Sequence, residues 1–109
     1  MKRTALKRGK GFAASKTQRD KVRGRSCIYC GAENVGIDPA HVWPRSLGGC
    51  DEADCVTAMC RRCHNFYDTG RLDLLPTLKA NHLVEYAHAV SHAGTEALAD
   101  RRISNARGL

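Results

Sequence analysis

Cys27-Ile-Tyr-Cys30 and Cys60-Arg-Arg-Cys63 are two CxxC pairs with 29 residues between them. Each pair sets two thiolates within reach of one ion, and four thiolates close a tetrahedral site suited to Zn²⁺. Such a site leaves no position open for water, so the zinc it implies is structural. In zinc-finger peptides an ion of this kind contributes on the order of 10 kcal/mol to folding. That matters in a chain with only 6% aromatic residues. A disulfide framework and a redox pair are the competing readings. The N-terminal MKRTALKRGKGFAASK is basic and lacks the apolar core of a secretory leader. A reducing compartment is therefore expected, which disfavours disulfides. No βαβ pattern accompanies either pair, as a thioredoxin-like redox site would require. Cys50 and Cys55 fall outside the spacing and are read as small buried residues.

Between the knuckles, Val35-Gly-Ile37 and His41-Val-Trp43 are β-prone runs expected to pair as a hairpin around Asp38-Pro39, with Pro44 ending the ladder. Arg45 to Asp54 is read as a loop. Cys55 to about Thr69 is read as a helix stopped by Gly70. On that helix His64 and Asp68 are four residues apart, share a face and can chelate one ion. His41 comes from the hairpin, with Asp38 three residues upstream. Carboxylates and two imidazoles gathered by a zinc-pinned hairpin and helix form a candidate hydrolytic site, although a lone helix histidine is more often surface decoration than ligand.

The ordered run of Cys27xxCys30, Asp38-Pro-Ala-His-Val-Trp-Pro-Arg-Ser-Leu-Gly-Gly49 and Cys60-Arg-Arg-Cys63-His64 resembles the HNH endonucleases, the ββα-metal (His-Me finger) nucleases, in their four-cysteine zinc branch. The resemblance covers about residues 26–72. Tyr67-Asp-Thr-Gly70 is similar to small HNH proteins of bacteriophages and prophages, which often open with a Lys/Arg-rich segment like residues 1–8. What the resemblance implies is a small α+β fold: a ββα-metal finger with a structural four-cysteine zinc, a basic N-terminal arm and C-terminal helices. It implies metal-dependent hydrolysis of DNA phosphodiester bonds, by nicking or cutting with low sequence specificity. It makes His41 the general base, and His64 a ligand of a catalytic divalent cation such as Mg²⁺, Mn²⁺ or Ni²⁺. Asp68 is placed as a second ligand, and Gly48-Gly49 as the loop glycines that allow a sharp return into the helix. Two positions depart from the family pattern. Ala40 stands where many members carry an acidic or histidine ligand, with Asp38 as the candidate replacement. Cys55 stands where a loop-bracing asparagine is usual. The alternative reading is a catalytically decayed zinc module that binds DNA or a partner protein. Phage relatives of this kind are associated with packaging proteins such as the terminase, with recombination and with homing.

The 109 residues suffice for one domain with a small core. Residues 1–25 hold ten of the 18 basic side chains and one acid, Asp20, while the rest of the chain is nearly neutral. The organisation expected is a basic, flexible, DNA-contacting arm at 1–25, the zinc-stabilised nuclease domain at 26–75 and a helical extension packed on it at 76–109. A short helix near Thr17–Val22 is allowed, although Leu6, Phe12 and Val22 are too sparse for a core. Lys2, Arg3, Lys7 and Arg8 are candidate phosphate contacts. Arg45, Arg61 and Arg62 flank the site and could clamp the backbone or simply be solvated. Trp43 is read as core rather than as a base-stacking platform. Beyond Pro76, Thr77 is expected to cap a helix over Leu78–His92 with Leu78, Leu83, Tyr86, Ala87 and Val90 on its packed face. Gly94 ends it and Thr95 caps a second helix to about Ile103. His88 and His92 are four apart, but a metal site there needs further ligands and only His82 and Glu85 are near in sequence, so they are read as surface residues. No apolar run reaches the ~20 residues of a membrane span, and a cytoplasmic location is expected.

Overall fold

An antiparallel two-stranded ribbon, β1 (Ile37–His41) and β2 (Val56–Cys60), organises the chain, with Ile37 opposite Cys60 and His41 opposite Val56. The computed structural model describes residues 14–44 and 47–104. Lys2, Arg3, Lys7, Arg8 and Arg45 lie outside the described residues. Around the ribbon are helices α1 (Lys16–Val22), α2 (Arg61–Asp68), α3 (Leu75–Asn81), α4 (Leu83–Ala93) and α5 (Glu96–Ser104), with a 3₁₀ turn at Ala53–Cys55 leading into β2. The fold is small α+β, and β1, β2 and α2 form its ββα unit.

The pairing differs from the expected hairpin. Asp38-Pro39 lies within β1, and the partner strand is Val56–Cys60, the segment read as the start of a helix. Both strands of a two-stranded ribbon are edges, so the missing N–H of Pro39 costs no internal ladder. Every residue of β2 is buried, and a strand covered on both faces lacks the alternation that would announce it. Helix α2 begins only at Arg61, where the Cys60 sulfur accepts the Cys63 N–H and caps the first turn.

Residues opposite one another across the ribbon point to the same side. On one side, Val56 and Ala58 join the Val22 side chain of α1 in a small apolar cluster. On the other, Ala40 and Met59 belong to the main core with Tyr67 of α2 and with Leu78, Tyr86 and Ile103 from the C-terminal helices. Tyr67 donates its hydroxyl to the Val42 carbonyl at 2.9 Å, which ties α2 to the end of β1. Trp43 is buried in the same core and donates its ring N–H to the Leu47 carbonyl.

Two further segments differ from expectation. Helix α1, assigned to the arm, is bound to the body: Ser15 and Gln18 form a reciprocal capping box, and Gln18 and Val22 are buried. The single helix expected over Leu78–His92 is two. It starts at Leu75, with Pro76 in the first turn where its absent N–H is tolerated, and breaks at His82. The break rotates α4, so Leu83 and Ala87 are exposed while Tyr86 and Ala89 are buried. Gly94 takes a left-handed φ of 95° to end α4, and the Thr95 hydroxyl accepts the Leu98 N–H at the head of α5.

Candidate active site and metal centre

The two knuckles meet. Cys27, Cys30, Cys60 and Cys63 bring their sulfurs within 4.8 Å of one another. Cys30 and Cys60 are 3.7 Å apart, near the ~3.8 Å edge of a tetrahedron of sulfurs about 2.3 Å from zinc. The knuckle turns at Gly31, whose φ is 78° and whose N–H bonds to the Cys27 carbonyl. Burial opposes a Cys27 thiolate, but hydrogen bonds from Cys30, Cys60 and Tyr29 backbone groups bring its pKa down to about 6. Burial, and then the crowding thiols of Cys60, Cys30 and Cys27, push Cys63 up. This crowd of sulfurs fits a thiophilic cation, and a structural zinc suits the four-cysteine set.

His64 lies one residue past the second knuckle, on α2, with a carboxylate at each ring nitrogen. Nδ1 is 3.0 Å from Asp38 Oδ2, and Nε2 is 3.2 Å from Asp68 Oδ2. Asp68 first, with Asp38 adding to it, raises the His64 imidazole above its ordinary value in spite of burial. Asp38 also takes a two-point contact from Arg61, at 3.0 and 3.4 Å. Burial works against the Asp38 carboxylate, but Arg61 and His64 hold it below its usual range. The ribbon and α2 thus gather Asp38, His64 and Asp68. The two carboxylates address opposite edges of one ring, so an ion bound at a single nitrogen has one of them beside it while the other fixes the ring. Imidazole and carboxylate donors fit a divalent cation.

His41 is seated elsewhere on the ribbon. Asp38 and His41 are three positions apart on β1, so strand alternation points them to opposite faces. His41 Nε2 is 3.2 Å from the Cys50 carbonyl and 3.4 Å from Gln18 Nε2. The Gln18 amide already donates to the Cys50 and Glu52 carbonyls at 2.8 and 2.9 Å. A carbonyl can only accept, so a proton belongs on His41 Nε2 at this contact. Nothing in the local sequence pointed to Gln18: its partners are 23 to 34 residues away. Gly48 and Gly49 serve this seat. Gly48 has a φ of 103°, and a side chain at Gly49 would collide with the Trp43 and Pro44 carbonyls. They return the chain to the loop carrying Cys50, not directly into the helix.

Of the flanking cations, Arg61 is engaged with Asp38 while its side chain stays 75% exposed, and Arg62 lies 6.0 Å over the Phe66 ring. Ala40, at the position where a ligand is common, is buried at 1% exposure. Cys50 and Cys55, read as small buried residues, are half-buried and buried respectively, and lie with His88 and His92 in a second group of ligand-type side chains. Among the described residues no helix is long and apolar enough to cross a membrane.

A ββα unit stapled by four cysteines, with a histidine between carboxylates on its helix, defines the class as a ββα-metal finger. Residues 27–72 match the family described as HNH endonuclease. No curated protein and no solved structure matches the chain.

Proposed function

We propose that the chain is a divalent-metal-dependent endonuclease that hydrolyses DNA phosphodiester bonds, nicking or cutting with low sequence specificity. The observation that carries this reading is the His64 imidazole between Asp38 and Asp68, on the helix that follows the zinc knuckle. In this reading His64 Nε2 and Asp68 would hold the cation. Asp38, partly neutralised by Arg61, orients the ring through Nδ1, as carboxylates behind ligating histidines do. The cation, when bound, would supply charge stabilisation at the phosphate and the leaving oxygen. His41 acts as general base through Nδ1, accepting the proton of the attacking water while the Cys50 carbonyl keeps Nε2 protonated. Arg61 and Arg62, with Arg45 and the basic residues Lys2, Arg3, Lys7 and Arg8, would contact backbone phosphates and give affinity without base readout.

The sequence resemblance supports a phage or prophage setting, with packaging proteins such as the terminase as candidate partners. Reduced zinc thiolates suit the cytoplasm of a bacterial host. Buried Ala40 and the Arg61 clamp on Asp38 favour a second reading, a decayed zinc module that binds DNA without cutting it. A supercoiled-plasmid assay with Mg²⁺, Mn²⁺ or Ni²⁺ separates the two. Nicking by the wild type that disappears in His41→Ala and His64→Ala supports the nuclease, and binding without nicking in every metal supports the module.

A further inference from the structure

The loop before β2 and helix α4 bring a second set of four ligand-type side chains together. We propose that Cys50, Cys55, His88 and His92 form a second zinc site, of Cys₂His₂ type, that clips the C-terminal helices to this loop. Their ligand atoms all lie within 4.8 Å of one another. Cys50 Sγ is 3.2 Å from His88 Nε2 and 3.4 Å from His92 Nε2, and Cys55 Sγ is 3.4 Å from His92 Nε2. In a tetrahedral zinc site with sulfur at about 2.3 Å and nitrogen at about 2.05 Å, sulfur and nitrogen are about 3.5 Å apart. The sulfur pair, at 2.6 Å, is closer than the thiolate edge of such a tetrahedron. Both cysteines are free thiols.

Chemistry and spacing favour an ion over the other ways of accommodating these groups. Four residues separate the cysteines and three separate the histidines, within the C-x₂₋₄-C and H-x₃₋₅-H spacings that recur in structural zinc sites. One turn of α4 sets both imidazoles on the same face, with ring centroids 4.9 Å apart. Two soft sulfurs and two imidazoles select zinc over the hard cations that carboxylates prefer. The four ligands complete the shell, so the ion would be structural. Its place has a further consequence. The backbone carbonyl of Cys50 is one of the groups His41 touches, and Glu52 in the same loop is 3.7 Å from His88. The clip therefore fixes the loop that seats His41.

The test is metal content of the full chain, purified reduced and read by elemental analysis, with Co²⁺ substitution as an optical readout. Two zinc ions per chain are expected in the wild type, falling to one in the His88→Ala/His92→Ala double variant. The Co²⁺ difference spectrum between the two proteins should be that of a mixed sulfur–nitrogen tetrahedral site. Cys55→Ser provides a second variant, also expected to hold one zinc. One zinc per chain in the wild type overturns the proposal, as does a double variant that keeps two. So does a mass loss of two hydrogens marking a Cys50–Cys55 disulfide in protein that holds one zinc. None of these readouts depends on cleavage, so they stand apart from the nuclease assay.

Discussion

Lys21 Nζ lies 2.6 Å from Glu85 Oε2, an ion pair that joins α1 to α4 across the molecule. Both side chains are largely buried, at 18% and 13% exposure, and the ammonium also donates to the Ala53 and Val56 carbonyls at 2.7 and 2.8 Å. Lys21 was one of the ten basic residues that composition assigns to the arm, yet it serves the fold. Removing it strands a buried carboxylate and two carbonyls. Lys21→Met should cost about 2–3 kcal/mol, read as a lower denaturant midpoint with the slope unchanged. A shift below about 0.5 kcal/mol would mean the pair is solvated.

The same pair sets an acid limit. Burial opposes the Glu85 charge, but Lys21 outweighs it and holds the carboxyl below its ordinary value of 4.5. A depressed folded pKa gives stability that is present above the unfolded value and lost as pH falls through the folded one. Wild-type melting temperature should therefore decline below about pH 4.5 more steeply than that of Lys21→Met. Parallel melting curves for the two proteins across that window would refute the assignment.

Opening the four-cysteine site should be far more damaging than any single packing change. Cys60 lies in the four-cysteine cluster and is also the last residue of β2 and the cap of α2. Cys60→Ser should leave the chain unfolded or aggregated by circular dichroism, given ion binding worth on the order of 10 kcal/mol. A chelator should have the same effect on the wild type. A folded mutant with wild-type melting would contradict a structural zinc in the knuckles.

The knuckles were legible because CxxC spacing encodes its chemistry within a few residues, and His64 with Asp68 because one helical turn does the same. What escaped was non-local. Val56–Cys60 is a strand covered on both faces, so its sequence carries no period of two and reads as the start of a helix. Gln18 orients a loop more than thirty residues away, and Cys50 meets His88 across 38 residues. His88 and His92 advertised half a site, and the other half was invisible until the loop folded back. Breaks at His82 and pairing partners for β1 are decided by the core, and local propensity does not reach them.

The two histidines of the candidate active site should separate function from fold. His41→Ala removes the proposed base but no core packing, and nicking should fall by about 10²–10⁴. His64→Ala removes the proposed ion ligand and should abolish nicking at every metal concentration. Both variants should retain the four-cysteine zinc and a cooperative melt. Full activity in His64→Ala would mean that the ion is held elsewhere.

The basic N-terminus can be tested cleanly only if α1 is spared. Deleting residues 1–25 would remove Gln18, Val22 and Lys21 together with the charges, and any loss of DNA binding would be confounded by a damaged body. Deleting residues 1–13 removes Lys2, Arg3, Lys7, Arg8 and Lys10 while leaving the Ser15 cap of α1 in place. Each phosphate neutralised contributes about −0.9 to the slope of log K against log salt. If all five side chains reach phosphates, the truncated protein should bind duplex DNA more weakly, with a slope shallower by up to about 4–5. Its melting temperature should be unchanged. An equal slope in the two proteins would assign DNA contact to the body, where Arg61 and Arg62 flank His64, and would leave the leading residues without a part in binding.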